Sequence, residues 1–228
     1  MQIFSLFPTC VTSTIYEDHE KLKKVFFQNF KNHVPESGYP LGEASGHVSI
    51  HNDPDMAFFF KFVSDTAREY LKILGVDESI WEVNLVKTWL NSFSFNSVPP
   101  HNHADAHLTW IYYMNVPEGK AHPLVLLKNN AVNDLTNGLF ENDTTHNQFS
   151  ASRLEHTPTE GELMFLPSNL DHQTALLEKN SPEIHFPTND PKIHMHNRIS
   201  ISGDIVLTFK ETSKRSRGLQ PVSNWKKF

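Results

Sequence analysis

The strongest constraint on the fold is a change of pattern at Val83. From there to Lys210 the chain consists of short segments rich in β-branched and aromatic residues, bounded by Pro, Gly and Asn. Such segments are typical of β-strands. The segments are VNLVKTWLNSF, HLTWIYYMNV, HPLVLLK, GELMFLP and RISISGDIVLTFK. We therefore predict that the larger part of the chain is β-structure.

The first 80 residues have a helical pattern instead. Residues 17–33 place apolar side chains at helical spacing after a charged first turn, and residues 55–74 repeat that spacing before Gly75, a typical helix stop. Helices that precede strands predict a β-sandwich with helices packed on its outside. We expect a single domain with helical support at 1–80, a β core at 81–210 and a basic tail at 211–228.

Composition limits the classes of protein to which the chain can belong. Its 228 residues, 38% hydrophobic with 17 Phe, can bury a sizeable core, and the single cysteine, Cys10, excludes an intrachain disulfide. We see no signal peptide and no apolar run of the ~20 residues that span a bilayer, so we expect a cytoplasmic protein, in the host cytoplasm if it is viral. The net charge of −6 argues against nucleic-acid binding, and the basic residues 214–228 are interpreted as a solvated terminus.

A possible metal site begins at His103. His103 and Asp105 stand at the head of the apolar segment LTWIYYM, and side chains at i and i+2 of a strand share a face. His172 follows a later strand and could complete a set of two imidazoles and one carboxylate, the ligands of non-haem Fe(II) oxygenases. His101 and His107 share the same alternation. A site built on His101 and His103 would indicate zinc or a cupin-like metal instead, and it remains the main alternative.

The last predicted strand has an unusual polar face. Alternation places Arg198, Ser200, Ser202 and Asp204 on one side and isoleucines on the other. An arginine holds a carboxylate by two parallel hydrogen bonds, and Ser200 can add a third. The face therefore predicts a polar pocket, although a strand with one solvated face is the alternative. Metal ligands on inner strand faces favour a jelly roll of the cupin type.

Three blocks of the chain resemble the Fe(II)/2-oxoglutarate-dependent dioxygenase superfamily. They are most similar to the 2-oxoglutarate oxygenases common in phages and bacteria, relatives of the prolyl-hydroxylase-like enzymes. The blocks are TWLNSFSFNSVPPHNHADAHLTWIYYMNVP, TPTEGELMFLPSNLDHQT and NRISISGDI, and they occur in the family's order. The family's fold is the double-stranded β-helix, a jelly roll with helices that buttress one sheet.

The resemblance implies a function and a set of roles. His103, Asp105 and His172 would be the iron ligands, Arg198 would bind the distal carboxylate of 2-oxoglutarate, and Ser200 and Tyr113 would be further co-substrate contacts. Fe(II), 2-oxoglutarate and O₂ would together hydroxylate a protein side chain or a small molecule and yield succinate. Thr109-Trp110 and Asn169-Leu170-Asp171 depart from the family pattern, which affects the substrate pocket more than the iron site.

Two further questions are open at the level of sequence. The long polar stretch 129–160 is a candidate substrate lid, and 173–197 is a second long insert. The competing functions are a cupin-like metal-binding jelly roll without oxygenase activity, and an interaction protein whose loops and basic tail bind a partner. Fe(II)-dependent release of succinate from 2-oxoglutarate would separate the enzyme from both.

Overall fold

The computed structural model describes residues 9–34, 49–93, 98–127, 153–174, 190–213 and 218–227. Its α-helices are α1 (His19–Gln28), α2 (Phe30–His33), α3 (Ala57–Ile73) and α4 (Pro191–His194). Its strands are β1 (Thr12–Ile15), β2 (Trp81–Phe93), β3 (Val98–His101), β4 (Leu108–Asn115), β5 (Leu124–Leu127), β6 (Arg153–His156), β7 (Glu162–Pro167), β8 (His172–Thr174) and β9 (Arg198–Phe209). Most of the segments 129–160 and 173–197 lies outside the described residues.

The strands form two antiparallel sheets, as the β-sandwich prediction requires. One sheet has the order β1-β7-β4-β9-β2 and the other the order β3-β8-β5-β6. The inner faces meet in one apolar cluster, to which β4, β5 and β7 contribute. Sequence neighbours lie in opposite sheets through most of this arrangement, which is the connectivity of a jelly roll. The predicted mainly β fold with N-terminal helices is confirmed.

Four strands have no counterpart in the sequence prediction, which recognised the other five. β1, β3, β6 and β8 are each only three or four residues long. Segments this short carry too few residues for a period-2 pattern to stand out, and these four lack the continuous apolar run that marks the equally short β5. They become strands through pairing with distant partners. β3 and β8 matter most, because they flank the predicted metal ligands.

The helices cover the outer face of the five-stranded sheet. Phe59, Val63 and Ala67 of α3 are fully buried against that face, together with Trp110 and Ile201 from the sheet. The predicted apolar stripe of this helix is therefore confirmed. No helix among the described residues is long and apolar enough to cross a membrane.

The end of α3 follows the predicted stop at Gly75. Gly75 has a φ of 77°, its N–H donates to the Lys72 carbonyl, and the N–H of Val76 donates to the Leu71 carbonyl. These two bonds make a Schellman motif, which needs a left-handed residue that glycine adopts without strain. Leu74, predicted on the buried stripe, is 44% exposed because the helix has already ended there.

The sharpest packing constraint in the sheet is at Gly203 in β9. A Cβ at this position would lie 2.6 Å from the Trp110 ring and 2.7 Å from the Lys87 carbonyl oxygen. We expect Gly203→Ala to lower the free energy of unfolding by about 3 kcal/mol, because neither a buried ring nor backbone can move away cheaply. Urea unfolding would measure the loss.

Gly119→Ala is the control for that variant. Gly119 has a positive φ of 72°, but nothing lies within 4 Å of the position of its missing Cβ. It should cost about 1–2 kcal/mol from backbone strain alone. Equal losses in the two variants would contradict the steric explanation at Gly203.

Candidate functional site

Three histidines converge at one end of the space between the sheets. His101 ends β3, His172 opens β8, and the pairing of these strands places the two residues directly opposite each other. His103 follows in the turn after β3. One ligand atom from each of the three imidazoles lies within 4.8 Å of the other two. Two nitrogens bound at ~2.1 Å to one ion can be at most about 4.2 Å apart, so the group stands close to metal-bound spacing.

The ring tautomers of the three histidines are set by their hydrogen bonds. Nδ1 of His101 lies 2.9 Å from the Pro99 carbonyl oxygen, and Nδ1 of His172 lies 2.9 Å from the Leu170 carbonyl oxygen. Nδ1 of His103 lies 2.9 Å from Oδ1 of Asp204. Carbonyl oxygens only accept, so Nδ1 of His101 and His172 is the donor, and the carboxylate imposes the same role on His103. In each ring the Nε2 lone pair is therefore available to a metal.

Burial supports the same role for the two inner rings. His103 and His172 are buried, and Nε2 of His103 has no hydrogen-bond partner among the described residues. Burial lowers the pKa of His172 to about 4, and the neighbouring His101 and His103 act in the same direction. His172 is therefore neutral near pH 7, the state in which imidazole binds a metal. This donor set fits a divalent transition-metal ion.

Asp204 and Trp89 hold His103 in place. Asp204, on β9, is 1% exposed, and its Oδ1 also accepts a hydrogen bond from the Thr109 hydroxyl at 3.1 Å. The Trp89 ring is nearly parallel to the His103 ring, with centroids 5.4 Å apart. Both neighbours restrict rotation of the imidazole, which fixes the direction of its Nε2.

The structure does not bring Asp105 to the histidines. Its side chain is 65% exposed, and its Oδ2 lies 2.7 Å from Nζ of Lys87, which lowers the pKa of the Asp105 carboxyl. The continuous strand expected from His103 onward is wrong: residues 102–107 lie between β3 and β4, and Ala106 N donates to the His103 carbonyl at 3.1 Å. In this turn the i, i+2 rule for strands no longer applies.

Two other candidates considered from the sequence have separate roles. Nδ1 of His107 accepts a hydrogen bond from the backbone N–H of Leu207, so this ring is turned away from the other three. Asp171 accepts a hydrogen bond from the Asn102 amide at 2.7 Å rather than from an imidazole. The neighbouring His172 ring is held by the Leu170 backbone carbonyl.

The polar face predicted on β9 is buried and points between the sheets. Arg198, Ser200, Ser202 and Asp204 are all buried, which excludes a solvated face. The isoleucines of the opposite face lie in the core beneath the helices, as predicted. Asp204 touches His103 at one end of this row, and Arg198 occupies the other end.

Arg198 and Tyr113 form the inner end of the row. Arg198 is 1% exposed, and its guanidinium carbon lies 5.0 Å from the centre of the Tyr113 ring. Ser200 is the cross-strand partner of Tyr113. Burial raises the pKa of Tyr113 to about 12, so its hydroxyl stays protonated, and burial lowers the pKa of the Arg198 guanidinium. The structure therefore places all three predicted co-substrate residues together.

Apolar side chains pack together between these polar ends. They come from β4, β5 and β7 and from the turn before β8: Ile111, Leu124, Leu126, Met164, Leu166 and Leu170. All six are buried, so they exclude water from between the two polar ends.

The sequence pattern does not identify Asp204, Thr109 and Trp89 as neighbours of the three histidines. His101 lies farther from a carboxylate than His103, so the spacing favours His103. Asp204 was placed correctly on the polar face of β9, but its contact with His103 depends on how the two sheets stack. The available signal in the sequence was Asp204 itself, an acidic residue on a strand face predicted to line a pocket.

A second group of potential ligands is already engaged in contacts within the protein. His19, Glu20 and Glu160 could in principle meet at a metal. However, Oε1 of Glu160 lies 2.6 Å from Nζ of Lys23 and 3.1 Å from Nε2 of His19. Nδ1 of His19 lies 2.6 Å from the Tyr112 hydroxyl. This network ties α1 to the sheet, and we assign it no ligand.

One family model matches the part of the chain that contains the three histidines. Residues 87–189 match the model of a family described as "Putative 2OG-Fe(II) oxygenase", where 2OG is 2-oxoglutarate. The matched segment contains all three histidines and Asp105. No curated protein matches the chain.

Two solved structures with a TM-score of 0.50 agree with the fold. AviO1 from Streptomyces viridochromogenes Tue57 has a TM-score of 0.50 and 8% identity, with 92% of this chain and 93% of that one covered. A Trichoplax adhaerens prolyl hydroxylase, in complex with a hypoxia inducible factor peptide fragment, has a TM-score of 0.50 and 11% identity, with 86% and 82% covered. A 2OG-Fe(II) oxygenase family oxidoreductase from Burkholderia pseudomallei has a TM-score of 0.43 and 10% identity; the match covers 68% of this chain and 57% of that one.

Proposed function

We propose that this chain is a 2OG-Fe(II) oxygenase, as the match of residues 87–189 supports, and that its converging histidines hold the Fe(II) of an active 2-oxoglutarate-dependent dioxygenase. The observation that carries this proposal is the available Nε2 of each ring, with every Nδ1 held by an oxygen. Fe(II) bound there would supply, with 2-oxoglutarate and O₂, the oxidation of a substrate C–H bond.

His103 and His172 would be two of the iron ligands, and His101 is favoured as the third. His101 already lies with the other two rings, whereas Asp105 would have to leave Lys87 and turn inward from the surface. Asp105 remains the alternative that the family resemblance implies. Either set leaves coordination positions for the co-substrate.

Arg198, Ser200 and Tyr113 would bind 2-oxoglutarate. The guanidinium would hold the distal carboxylate by two parallel hydrogen bonds, and the Ser200 and Tyr113 hydroxyls would donate further ones. A carboxylate beside Arg198 would also offset the cost of burying its charge. The apolar side chains between the two ends would exclude water from the reacting groups.

The reaction product tests the proposal directly. Purified protein with Fe(II), 2-oxoglutarate and O₂ should release succinate, and omission of Fe(II) or O₂ should stop that release. Absence of succinate under all conditions, from protein that binds Fe(II), would favour the cupin-like metal-binding alternative. The substrate is proposed to be a protein side chain or a small molecule, and residues 129–160 are proposed as its lid.

The third ligand can be identified by a pair of variants. We expect His101→Ala to weaken Fe(II) binding at least tenfold and Asp105→Ala to change it by less than twofold, because only His101 lies within reach of the other rings. Anaerobic equilibrium dialysis would measure both. The reverse ranking would restore the two-histidine, one-carboxylate set, and His107→Ala is the control for loss of a nearby imidazole.

A further inference from the structure

We propose that Asp204 is a positioning residue of the metal centre. Its carboxylate fixes the orientation of the His103 imidazole and places a negative charge next to the three histidines, none of which is charged negatively. This inference rests on the proposed function, since it presumes that His103 binds the metal. It concerns a residue that neither the family match, which ends at residue 189, nor the ligand group includes.

The contact geometry at Asp204 is that of a residue that orients an imidazole. Oδ1 lies 2.9 Å from Nδ1 of His103 and accepts the Thr109 hydroxyl at 3.1 Å. Both neighbours approach the same oxygen, so the carboxylate is held in one orientation. Thr109 stands directly across from Asp204 in the pairing of β4 with β9, which makes this contact a property of the strand register.

Burial of the Asp204 carboxylate lowers the stability of the fold unless a nearby positive charge offsets its own. Asp204 is 1% exposed, and its Oδ2 has no hydrogen-bond partner among the described residues. A buried carboxylate with one unsatisfied oxygen destabilises a fold. A cation at the histidine group would balance this charge across the His103 ring, which accounts for an acid at this position.

The net charge of the ligand set also favours a role for Asp204. Two imidazoles and one carboxylate lower the charge of a bound Fe(II) by one, whereas three neutral imidazoles leave it unchanged. A carboxylate hydrogen-bonded to a ligating histidine makes that histidine a stronger donor. Asp204 would therefore restore through His103 part of the negative charge that Asp105 does not contribute.

Metal binding and the spectrum of the bound ion test the role without reliance on turnover. Co(II) is a spectroscopic substitute for Fe(II), and its absorption bands report ligand geometry. We expect Asp204→Asn, which keeps the shape but removes the charge, to weaken Co(II) binding 10- to 100-fold and to shift the Co(II) bands. Thr109→Val should produce a smaller shift in the same direction.

Asp171→Asn is the matched control. Asp171 is also an acid next to the group, but it contacts the Asn102 amide and no imidazole Nδ1. It should leave the Co(II) affinity within twofold of the wild type and the bands unchanged. Thermal unfolding of each apo variant checks that the fold persists.

The outcomes separate the inference from the function on which it rests. Asp204→Asn with wild-type Co(II) affinity and bands would overturn the role of Asp204 while leaving the metal centre intact. A wild-type protein that binds no Co(II) would overturn the metal centre itself. Should Asp204→Asn fail to fold, Thr109→Val decides, and unchanged affinity and bands in that variant would overturn the inference.

Discussion

The His172→Ala variant is expected to release no detectable succinate from 2-oxoglutarate. Its imidazole is buried, neutral near pH 7 and held by the Leu170 carbonyl, so its Nε2 is available to bind a metal. Loss of one of three protein ligands should also weaken Fe(II) binding by two or more orders of magnitude. Succinate release and anaerobic Fe(II) dialysis would measure the two effects.

His107→Ala is the control for that experiment. His107 lies four residues after His103, but its ring contacts the backbone of β9. It should retain wild-type Fe(II) affinity and turnover. If His172→Ala itself retained turnover, the distal ligand would have to be another histidine, such as His185, His194 or His196.

The structure argues against His194 as that ligand. The His194 ring lies against Phe30, with centroids 4.9 Å apart, and its Nδ1 lies 2.9 Å from the Ser92 hydroxyl. It is buried beside α2, away from the three converging rings. His185 lies outside the described residues.

The Arg198→Ala variant is expected to lose most of its affinity for 2-oxoglutarate and to keep its metal. Two charge-assisted hydrogen bonds contribute about 1.5–3 kcal/mol each, so their loss should weaken binding by about 10²- to 10⁴-fold. Arg198 and Asp204 occupy opposite ends of the polar row on β9, with their Cα atoms about 20 Å apart at ~3.3 Å per residue. Fe(II) affinity should therefore change by less than twofold.

The measurement is 2-oxoglutarate binding to the anaerobic Fe(II) protein by calorimetry. Arg198→Lys is the matched variant, since it keeps the charge but cannot form two parallel hydrogen bonds, and it should fall between the wild type and the alanine variant. Apo thermal unfolding controls for the cavity left by a buried side chain. Wild-type co-substrate affinity in Arg198→Ala would remove this residue from the site.

The spacing of apolar and polar residues predicted those parts of the fold that depend on residues close together in the sequence. The apolar stripe of α3 and the stop at Gly75 follow from helix periodicity and backbone preference. The polar row of β9 follows from strand alternation, and the structure buries that row. The short strands β3 and β8 escaped prediction because three or four residues acquire strand geometry only by pairing.

The sequence by itself determined that His103 and His172 are candidate ligands, and that Arg198 shares a buried face with Ser200 and Asp204. Only the tertiary structure decided which groups join the two histidines. The His103-x-Asp105 spacing puts both side chains on one face if the backbone is extended, but the turn closed by Ala106 directs Asp105 to Lys87. Pairing of β3 with β8 brings in His101, and stacking of the sheets brings in Asp204. The physical reason is that spacing along a chain encodes direction only within a regular element, whereas contacts between elements depend on how those elements pack.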